Sequence, residues 1–195
     1  GHLTGRMVID HRGYNKQCKA MSFAMPDIAH IVEDMSKPGA LYFGGADLAT
    51  GYFQAALEDG EKRCLGVSAP DGVYIPQRLQ LGPQWAPAWF QARSQSAFGR
   101  YFHVYIDDII FRCKCWQELL RLTKKLHEGC DTSGCVLSLK KTVLGSRTID
   151  CLGHTITRAG RKAAGKKVEL VAPWPPPGST AELRSFFCVC VYLRG

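Results

Sequence analysis

The chain has 195 residues, 46% of them hydrophobic, and carries 25 Lys or Arg against 17 Asp or Glu. This length and composition predict one ordinary domain or two small lobes with a real core, and they exclude a disordered chain. No apolar run approaches the roughly 18 residues of a membrane span, and residues 1–5 lack the basic and apolar regions of a signal peptide. We therefore expect a soluble protein without membrane contact, and the missing initial Met is typical of a fragment or of a processed piece.

Apolar residues at helical spacing alternate along the chain with apolar residues at strand spacing. In the first half of the chain they predict a strand at 7–9, a helix opened by Pro26 and Asp27, a strand at 41–48 with an extended continuation at 53–57, and hairpin strands at 63–69 and 73–78. The middle of the chain is predicted to form a helix at 87–98 and hairpin strands at 101–106 and 109–112. The remainder is predicted to form a helix over 119–130, strands at 136–140 and 149–157, and a helix at 183–193. Interleaved helices and hairpins indicate an α+β or mixed α/β class. The proline-rich segment 173–178 predicts a stiff linker with a boundary near residue 173.

Three carboxylates stand in apolar surroundings that predict strands. Asp107 and Asp108 interrupt the apolar run 102–111, and Asp47 lies near the end of the apolar segment 41–48. A buried carboxylate must be paired or must hold a cation, so these residues predict a phosphoryl-transfer site with two Mg²⁺ ions, for which Mn²⁺ is a possible substitute. For Asp107 and Asp108 alone, a turn that merely favours aspartate is the alternative.

Positive charge is concentrated in the second half of the chain. Residues 112–167 contain 13 Lys or Arg and only 4 Asp or Glu. This asymmetry indicates a polyanionic partner, with nucleic acid as the natural candidate. A solvated basic face is the alternative reading of the same charges.

Nine cysteines occur, an odd number. Their spacings include two C-x-C pairs, at 113/115 and 188/190, but none of the spacings is typical of structural zinc. We therefore expect reduced, partly buried thiols in an intracellular compartment, either the cytoplasm or the nucleus.

Six sequence blocks occur in a characteristic order over nearly the whole chain. They lie at 6–15, 47–54, 86–91, 105–109, 152–154 and 183–186, and Lys167 with Trp174 and Pro175 fits the segment before the last block. In this order they resemble the reverse transcriptases of gypsy-type LTR retrotransposons. The resemblance implies an α+β right-hand polymerase fold, with fingers, a ferredoxin-like palm sheet and a truncated thumb.

The resemblance also implies a division of the chain and a function. It assigns 1–19 to the fingers, 20–54 to the palm, 55–85 to the fingers again, 86–165 to the palm and 166–195 to the start of the thumb. The implied function is an RNA-directed DNA polymerase core that transfers a nucleotide from a dNTP to a primer 3′-hydroxyl. The implied partners are an RNA template, a DNA primer and further polyprotein segments such as RNase H and integrase, while the oligomeric state stays open.

The resemblance assigns roles to individual residues. Asp47 and Asp107 ligate both metal ions, and Asp108 assists them. The nucleotide-binding residues are Arg6, Thr50, Gly51, Tyr52 and Gly82. Within this set, Tyr52 is a steric gate against ribose, and a core aromatic residue is the alternative. Arg6 grips the triphosphate, and an exposed arginine without a function is the alternative.

Two further groups are assigned to the nucleic acid. The primer grip is Leu152-Gly153-His154, where glycine allows close approach to the strand, although His154 is equally typical of a surface residue. The template and primer phosphates are contacted by Lys124, Lys125, Lys140, Lys141, Arg158, Arg161, Lys162, Lys166 and Lys167.

Some segments depart from the family pattern. Leu81 and Trp85 replace residues of the segment that lines the nucleotide and template site, and His11 replaces an aromatic residue. The runs 62–65 and 188–191 differ as well, and we expect the chain to start inside the fingers, after the family's upstream triphosphate-binding lysine. The altered segment 80–85 favours the alternative function, a degenerate or domesticated, non-catalytic scaffold that binds nucleic acid, whereas the intact set of three acids favours the enzyme. A different palm-type polymerase or a nucleotidyl cyclase is a third option, against which the blocks at 86–91 and 152–154 argue.

Overall fold

The computed structural model describes residues 9–19, 21–163 and 175–194. Within these residues the helices are α1 (Arg12–Asn15), α2 (Ile28–Ser36), α3 (Gly51–Gln54), α4 (Asp59–Cys64), α5 (Ala86–Phe98), α6 (Trp116–Ser133) and α7 (Thr180–Arg194). The strands are β1 (Tyr42–Asp47), β2 (Val67–Ala69), β3 (Gly72–Tyr74), β4 (His103–Tyr105), β5 (Asp108–Cys113), β6 (Val143–Ser146), β7 (Thr148–Cys151), β8 (His154–Thr157) and β9 (Gly160–Ala163). Arg6, Lys166, Lys167 and most of the strand predicted at 7–9 lie outside the described residues.

A four-stranded antiparallel sheet, which we call the central sheet, organises the molecule. Its strand order is β4-β5-β1-β6. Along the chain its elements follow one another as β1, α5, β4, β5, α6 and β6. This βαββαβ order with β1 inside the sheet is the ferredoxin-like arrangement, so the predicted α+β class and palm-type sheet are confirmed.

Helices α5 and α6 cover one face of the central sheet. Phe90 and Phe98 of α5 and Leu122 and Leu126 of α6 share a buried cluster with Phe111 of β5. The predicted end of α5 is confirmed, because Gly99 follows the last residue, and the helix begins one residue before the predicted start at Pro87. These apolar faces hold both helices against the sheet.

The opposite face of the central sheet is covered by α2 and by a three-stranded sheet of β7, β8 and β9. Met35 of α2 packs with Ile110, Ile149 and Ile156 in one buried cluster. Helix α2 begins as predicted, because the Asp27 carboxylate accepts a hydrogen bond of 2.9 Å from the Ala29 amide.

A third cluster lies beside the central sheet, where the chain leaves β1 and returns to α5. Its buried residues are Ala55, Leu57, Leu65, Leu79 and Ala86. The hairpin predicted around residues 70–72 is confirmed as β2 and β3. Its strands are shorter than predicted, because residues 63 and 64 belong to α4.

Two other predicted strands differ from the structure. The extended segment predicted at 53–57 instead begins inside the short helix α3, after which Ala56 forms an isolated bridge to Arg78. The strand predicted at 136–140 is limited to a bridge from Leu137 to Leu48. There the carbonyl of Ser138 accepts hydrogen bonds from the next turn, so the chain bends instead of extending.

The segment 149–157, predicted as one strand, folds into the hairpin of β7 and β8. Leu152 and Gly153 form its two-residue turn, with φ angles of 46° and 84°. Positive φ at both turn positions is the geometry that suits a tight hairpin and favours glycine.

All nine cysteines are free thiols. Of the helices in the described ranges, none combines the length and the hydropathy that crossing a bilayer requires.

Candidate active site

Asp47 and Asp108 lie directly opposite each other on neighbouring antiparallel strands. Asp47 is the last residue of β1, Asp108 is the first residue of β5, and the two are paired in the strand register. Alternate residues of a strand share a face, so both carboxylates lie on the side of Phe43 and Ile110, facing the three-stranded sheet. Asp107 precedes Asp108 in the hairpin turn, so the structure brings all three predicted acids together.

A cavity of about 420 Å³, which we call the carboxylate cavity, opens between Asp47 and Asp108 on one side and the three-stranded sheet on the other. Asp47, Asp108 and Lys141 line one side of it, and the turn at Leu152 and Gly153 lines the other. The predicted metal site and the predicted primer grip therefore border the same space.

The carboxylates of this cavity repel one another in a partly desolvated place. Burial, followed by the charges of Asp107 and Asp47, raises the pKa of Asp108 to about 6. Burial and the charge of Asp47 also raise the pKa of Asp107. A cation between the carboxylates relieves this repulsion, and a bound metal ion would supply that positive charge.

Lys141 supplies positive charge at this point of the structure. Its Nζ donates hydrogen bonds of 3.1 and 3.0 Å to the two carboxylate oxygens of Asp47. The Asp47 side chain is 15% exposed and that of Lys141 is 67% exposed. The ammonium group of Lys141 occupies the position of a cation beside Asp47. Carboxylate oxygens are the ligands that hard divalent ions prefer, so the three aspartates fit such an ion. Within the described residues, no three acidic, His or Cys side chains already surround a common metal position.

Gln91 of helix α5 supports the turn that carries Asp107. The sequence predicted no individual role for this residue. The Ile106 amide donates a hydrogen bond of 2.6 Å to Gln91 Oε1, and Gln91 Nε2 donates one of 3.0 Å to the Val104 carbonyl. Gln91 is fully buried. The available signal was a glutamine directly after Phe90 on the helix face that also carries Phe98, since a buried amide must find partners.

Thr50, Gly51 and Tyr52 lie next to the carboxylates. Thr50 has a left-handed backbone (φ 48°) at the start of α3, and a Cβ at Gly51 would approach the Phe90 ring to 2.7 Å. The Tyr52 ring stacks on Phe90 with centroids 4.9 Å apart. Burial and then the charge of Asp107 raise the pKa of Tyr52, so its hydroxyl lies within the field of the acids.

Gly82 lies in a loop that α1 holds in place. Asn15 Nδ2 donates a hydrogen bond of 3.0 Å to the Gly82 carbonyl, and Asn15 Oδ1 accepts one of 2.9 Å from the Gln84 amide. Gly82 has a φ of 122°, and a Cβ there would collide with the buried His11 ring. The departure at Trp85 is accommodated, because its Nε1 donates a hydrogen bond of 3.0 Å to the Tyr14 hydroxyl.

His154, the last residue of the predicted primer grip, is buried with only 4% exposure and is therefore not a surface residue. Its Nδ1 lies 3.2 Å from the Leu152 carbonyl, across the hairpin turn. Its Nε2 is buried without a hydrogen-bond partner among the described residues.

Seven of the nine predicted phosphate-binding residues lie within the described ranges, and they divide into three groups. Lys140 and Lys141 lie in the turn before β6, beside the acids. Arg158, Arg161 and Lys162 lie on the hairpin of β8 and β9, on the same side of the central sheet as the acids. Lys124 and Lys125 lie on α6, which packs on the other face. Lys125 Nζ there pairs with Glu128 at 2.6 Å.

Comparison with known proteins identifies relatives over nearly the whole chain. The chain is 28% identical over 193 residues to the retrovirus-related Pol polyprotein from transposon 412 of Drosophila melanogaster, covering 97% of this chain and 15% of the polyprotein. It is 26% identical over 198 residues to the corresponding polyprotein from transposon gypsy of the same organism, covering 100% of this chain and 19% of the polyprotein. The chain thus spans less than a quarter of the length of these relatives.

Solved structures share the fold. The foamy viral protease-reverse transcriptase dRH in complex with double-stranded DNA matches with a TM-score of 0.86 and 24% identity, covering 97% of this chain and 33% of that one. The foamy viral protease-reverse transcriptase in complex with an RNA/DNA hybrid matches with a TM-score of 0.80 and 24% identity, covering 94% and 25%.

The family model described as "Reverse transcriptase (RNA-dependent DNA polymerase)" matches residues 3–156. That range contains the three acids, the braced hairpin turn and the turn that lines the carboxylate cavity. Enzymes of this kind generally use divalent metal ions. The chain belongs to the reverse transcriptase family.

Proposed function

We propose that this chain carries the polymerase centre of an RNA-directed DNA polymerase from a retroelement polyprotein. The reaction joins the α-phosphate of a dNTP to the 3′-hydroxyl of a DNA primer on an RNA template, and pyrophosphate leaves. The observation that carries the proposal is the register pair of Asp47 and Asp108, with Asp107 adjacent, at the edge of the carboxylate cavity.

Asp47, Asp107 and Asp108 would hold two Mg²⁺ ions, for which Mn²⁺ would substitute. Bound there, the ions would supply the Lewis acidity that activates a hydroxyl and neutralises the charge on phosphate. The strands β1 and β5 fix the separation of Asp47 and Asp108, and the Gln91 brace fixes the turn that presents Asp107. This preorganisation spares the reaction the cost of bringing the carboxylates together.

The incoming nucleotide lies between α3 and the loop of Gly82. Tyr52, held by its stack on Phe90, excludes a ribose 2′-hydroxyl by its bulk. The backbone amides at Thr50 and Gly51 face the phosphates, and Arg6 grips the triphosphate. Leu81 is 50% exposed beside Gly82 and contributes apolar contact there.

The primer end rests on the turn of Leu152, Gly153 and His154. The basic residues assigned above bind the phosphates without sequence preference. The foamy viral structures named above contain double-stranded DNA or an RNA/DNA hybrid, which supports the same class of partner here.

In this proposal, residues 1–19 and 55–85 form fingers, residues 20–54 and 86–165 form the palm, and residues 166–195 begin the thumb. The chain acts as part of a longer polyprotein with RNase H and integrase segments. It works in a reducing intracellular compartment, a location that the nine free thiols suit.

Primer extension on an RNA template tests the proposal. We expect the protein to add dNTPs in Mg²⁺, and we expect Asp107→Asn to abolish the addition. Asp150→Asn is the matched control, because Asp150 lines the same cavity and its replacement removes an equal charge without touching the proposed ligands.

The alternative scaffold function predicts a different pattern. RNA binding would persist in Asp47→Asn and would not respond to metal, and no variant would extend a primer. A folded protein that binds primer and template but adds no nucleotide in Mg²⁺ or Mn²⁺ would overturn the polymerase proposal.

A further inference from the structure

The backbone delivers the ammonium group of Lys141 to Asp47. The Ser138 amide donates a hydrogen bond of 2.8 Å to the Asp47 carbonyl, and the Lys141 amide donates one of 3.0 Å to the Ser138 carbonyl. The turn that carries Lys141 is therefore fastened to the end of β1, the same residue whose side chain Lys141 pairs with. Because these backbone hydrogen bonds fix the turn, Lys141 is held close to Asp47, and the pair is not a chance contact between flexible surface groups.

The charges around the pair explain what it does. Three carboxylates share the site, and Lys141 is the one basic side chain within the described residues that forms an ion pair with any of them. Burial raises the pKa values of Asp107 and Asp108, and the charge of Lys141 partly opposes this rise. Without a cation here, three acids would face one another in a half-buried cavity, which destabilises the fold.

We propose that Lys141 is an internal counter-ion that holds Asp47 while the site lacks metal, and that a divalent cation must displace it in order to bind. The proposal rests on the proposed function, since it takes the acids as metal ligands. Both Asp47 oxygens bind the ammonium group, and an ammonium beside a second cation is repelled. The exposed, flexible stem of Lys141 lets the group leave without unpacking the core.

This role differs from the phosphate contact that the sequence predicts for Lys141. A phosphate-binding lysine affects the affinity for nucleic acid and leaves metal binding to the free protein unchanged. A counter-ion affects metal binding when no nucleic acid is present. Metal titration of the protein alone therefore separates the two roles.

The experiment measures Mn²⁺ binding to the 195-residue protein by electron paramagnetic resonance of the free ion, without nucleic acid. We expect Lys141→Met to bind Mn²⁺ about two- to fivefold more tightly, the range for losing a competing, partly exposed ion pair. Lys141→Arg should bind no more tightly than the parent, because guanidinium also pairs with both oxygens of a carboxylate. Lys140→Met is the matched control, since Lys140 is the exposed neighbour in the same turn, and its affinity should change less than twofold.

Equal affinities for the parent and Lys141→Met, or equal gains in Lys141→Met and Lys140→Met, would overturn the inference, because only overall charge would then matter. If Lys141→Met does not fold, the comparison rests on Lys141→Arg, where a clear gain in Mn²⁺ affinity would overturn the inference. Failure of the proposed function has a different signature: Mn²⁺ binding to the parent protein would then be indifferent to Asp47→Asn.

Discussion

The amide of Ile106 donates a hydrogen bond of 2.6 Å to the side chain of Gln91, on the helix beneath it. Ile106 has a positive φ of 55°, which a β-branched residue rarely adopts. The hydrogen bond helps to hold this conformation and with it the turn that presents Asp107 and Asp108. Helix α5 therefore determines the geometry of acids that lie on the sheet it supports.

Gln91→Leu should destabilise the protein by about 1–3 kcal/mol, because the Ile106 amide and the Val104 carbonyl lose their partner in a buried place. Urea unfolding followed by circular dichroism measures the change. Ser96→Ala, an exposed change on the same helix, should alter the stability by less than about 0.5 kcal/mol. Equal stability of Gln91→Leu and the parent would show that the brace contributes nothing.

Tyr52→Ala should weaken the selection against ribonucleotides. The ring is held on Phe90 beside the acids, so its removal opens space for a 2′-hydroxyl. We expect the ratio of kcat/KM for a ribonucleotide to that for the matching deoxynucleotide to rise roughly tenfold or more. Phe53→Ala, which removes the exposed neighbouring ring, should leave the ratio unchanged, and an unchanged ratio in Tyr52→Ala would assign the tyrosine to the core alone.

Asn15→Ala should raise the KM for dNTPs more than it lowers kcat. Asn15 bonds both the Gly82 carbonyl and the Gln84 amide, so its loss releases the loop that we propose to face the nucleotide. We expect a roughly two- to tenfold rise in KM, the effect of losing one or two hydrogen bonds. Gln17→Ala, an exposed change just beyond α1, is the control, and a fall in kcat without a change in KM would contradict this role.

Asp34 should make the stability of the protein depend on acid pH. Burial tends to raise the pKa of Asp34, but hydrogen bonds from Lys37 and His103 and the charge of Arg112 outweigh it and hold the pKa well below its usual value. A lowered pKa in the folded state gives stability that is present above about pH 4 and is lost as the pH falls below that value.

Unfolding of Asp34→Asn at several pH values tests this dependence. The substitution should cost on the order of 1–3 kcal/mol at pH 7, and the difference from the parent should shrink steadily below about pH 4. Glu33→Gln, which removes an exposed carboxylate from the same helix α2, should show no such trend. A constant difference from pH 7 to pH 2 would mean that Asp34 acts by packing instead of by charge.

Local signals made much of this fold predictable. Asp27 caps α2, and Gly99 ends α5. Such ends can be predicted because the residues next to a helix terminus determine where the helix begins or stops. The segment 136–140 misled because Leu137 and Leu139 alternate with polar residues, yet Leu139 is 85% exposed and the backbone turns at Ser138. Alternation alone does not reveal whether a partner strand is available.

The site was predictable only in part. Three acids in apolar segments indicated a cation site, and the family resemblance added Tyr52 and the turn at Gly153. The pair of Lys141 with Asp47 joins residues 94 positions apart, and the Gln91 brace joins a helix to a later turn. Contacts of this kind leave no local pattern, so they emerge only from the three-dimensional structure.

The most direct test of the account is the anomalous scattering of Mn²⁺ in a crystal of the protein. We expect Mn²⁺ between strands β1 and β5, within ligand distance of carboxylate oxygens of both Asp47 and Asp107, with Lys141 moved away from Asp47. A crystal saturated with Mn²⁺ that shows no anomalous density between these acids, with the Lys141 pair intact, would contradict it.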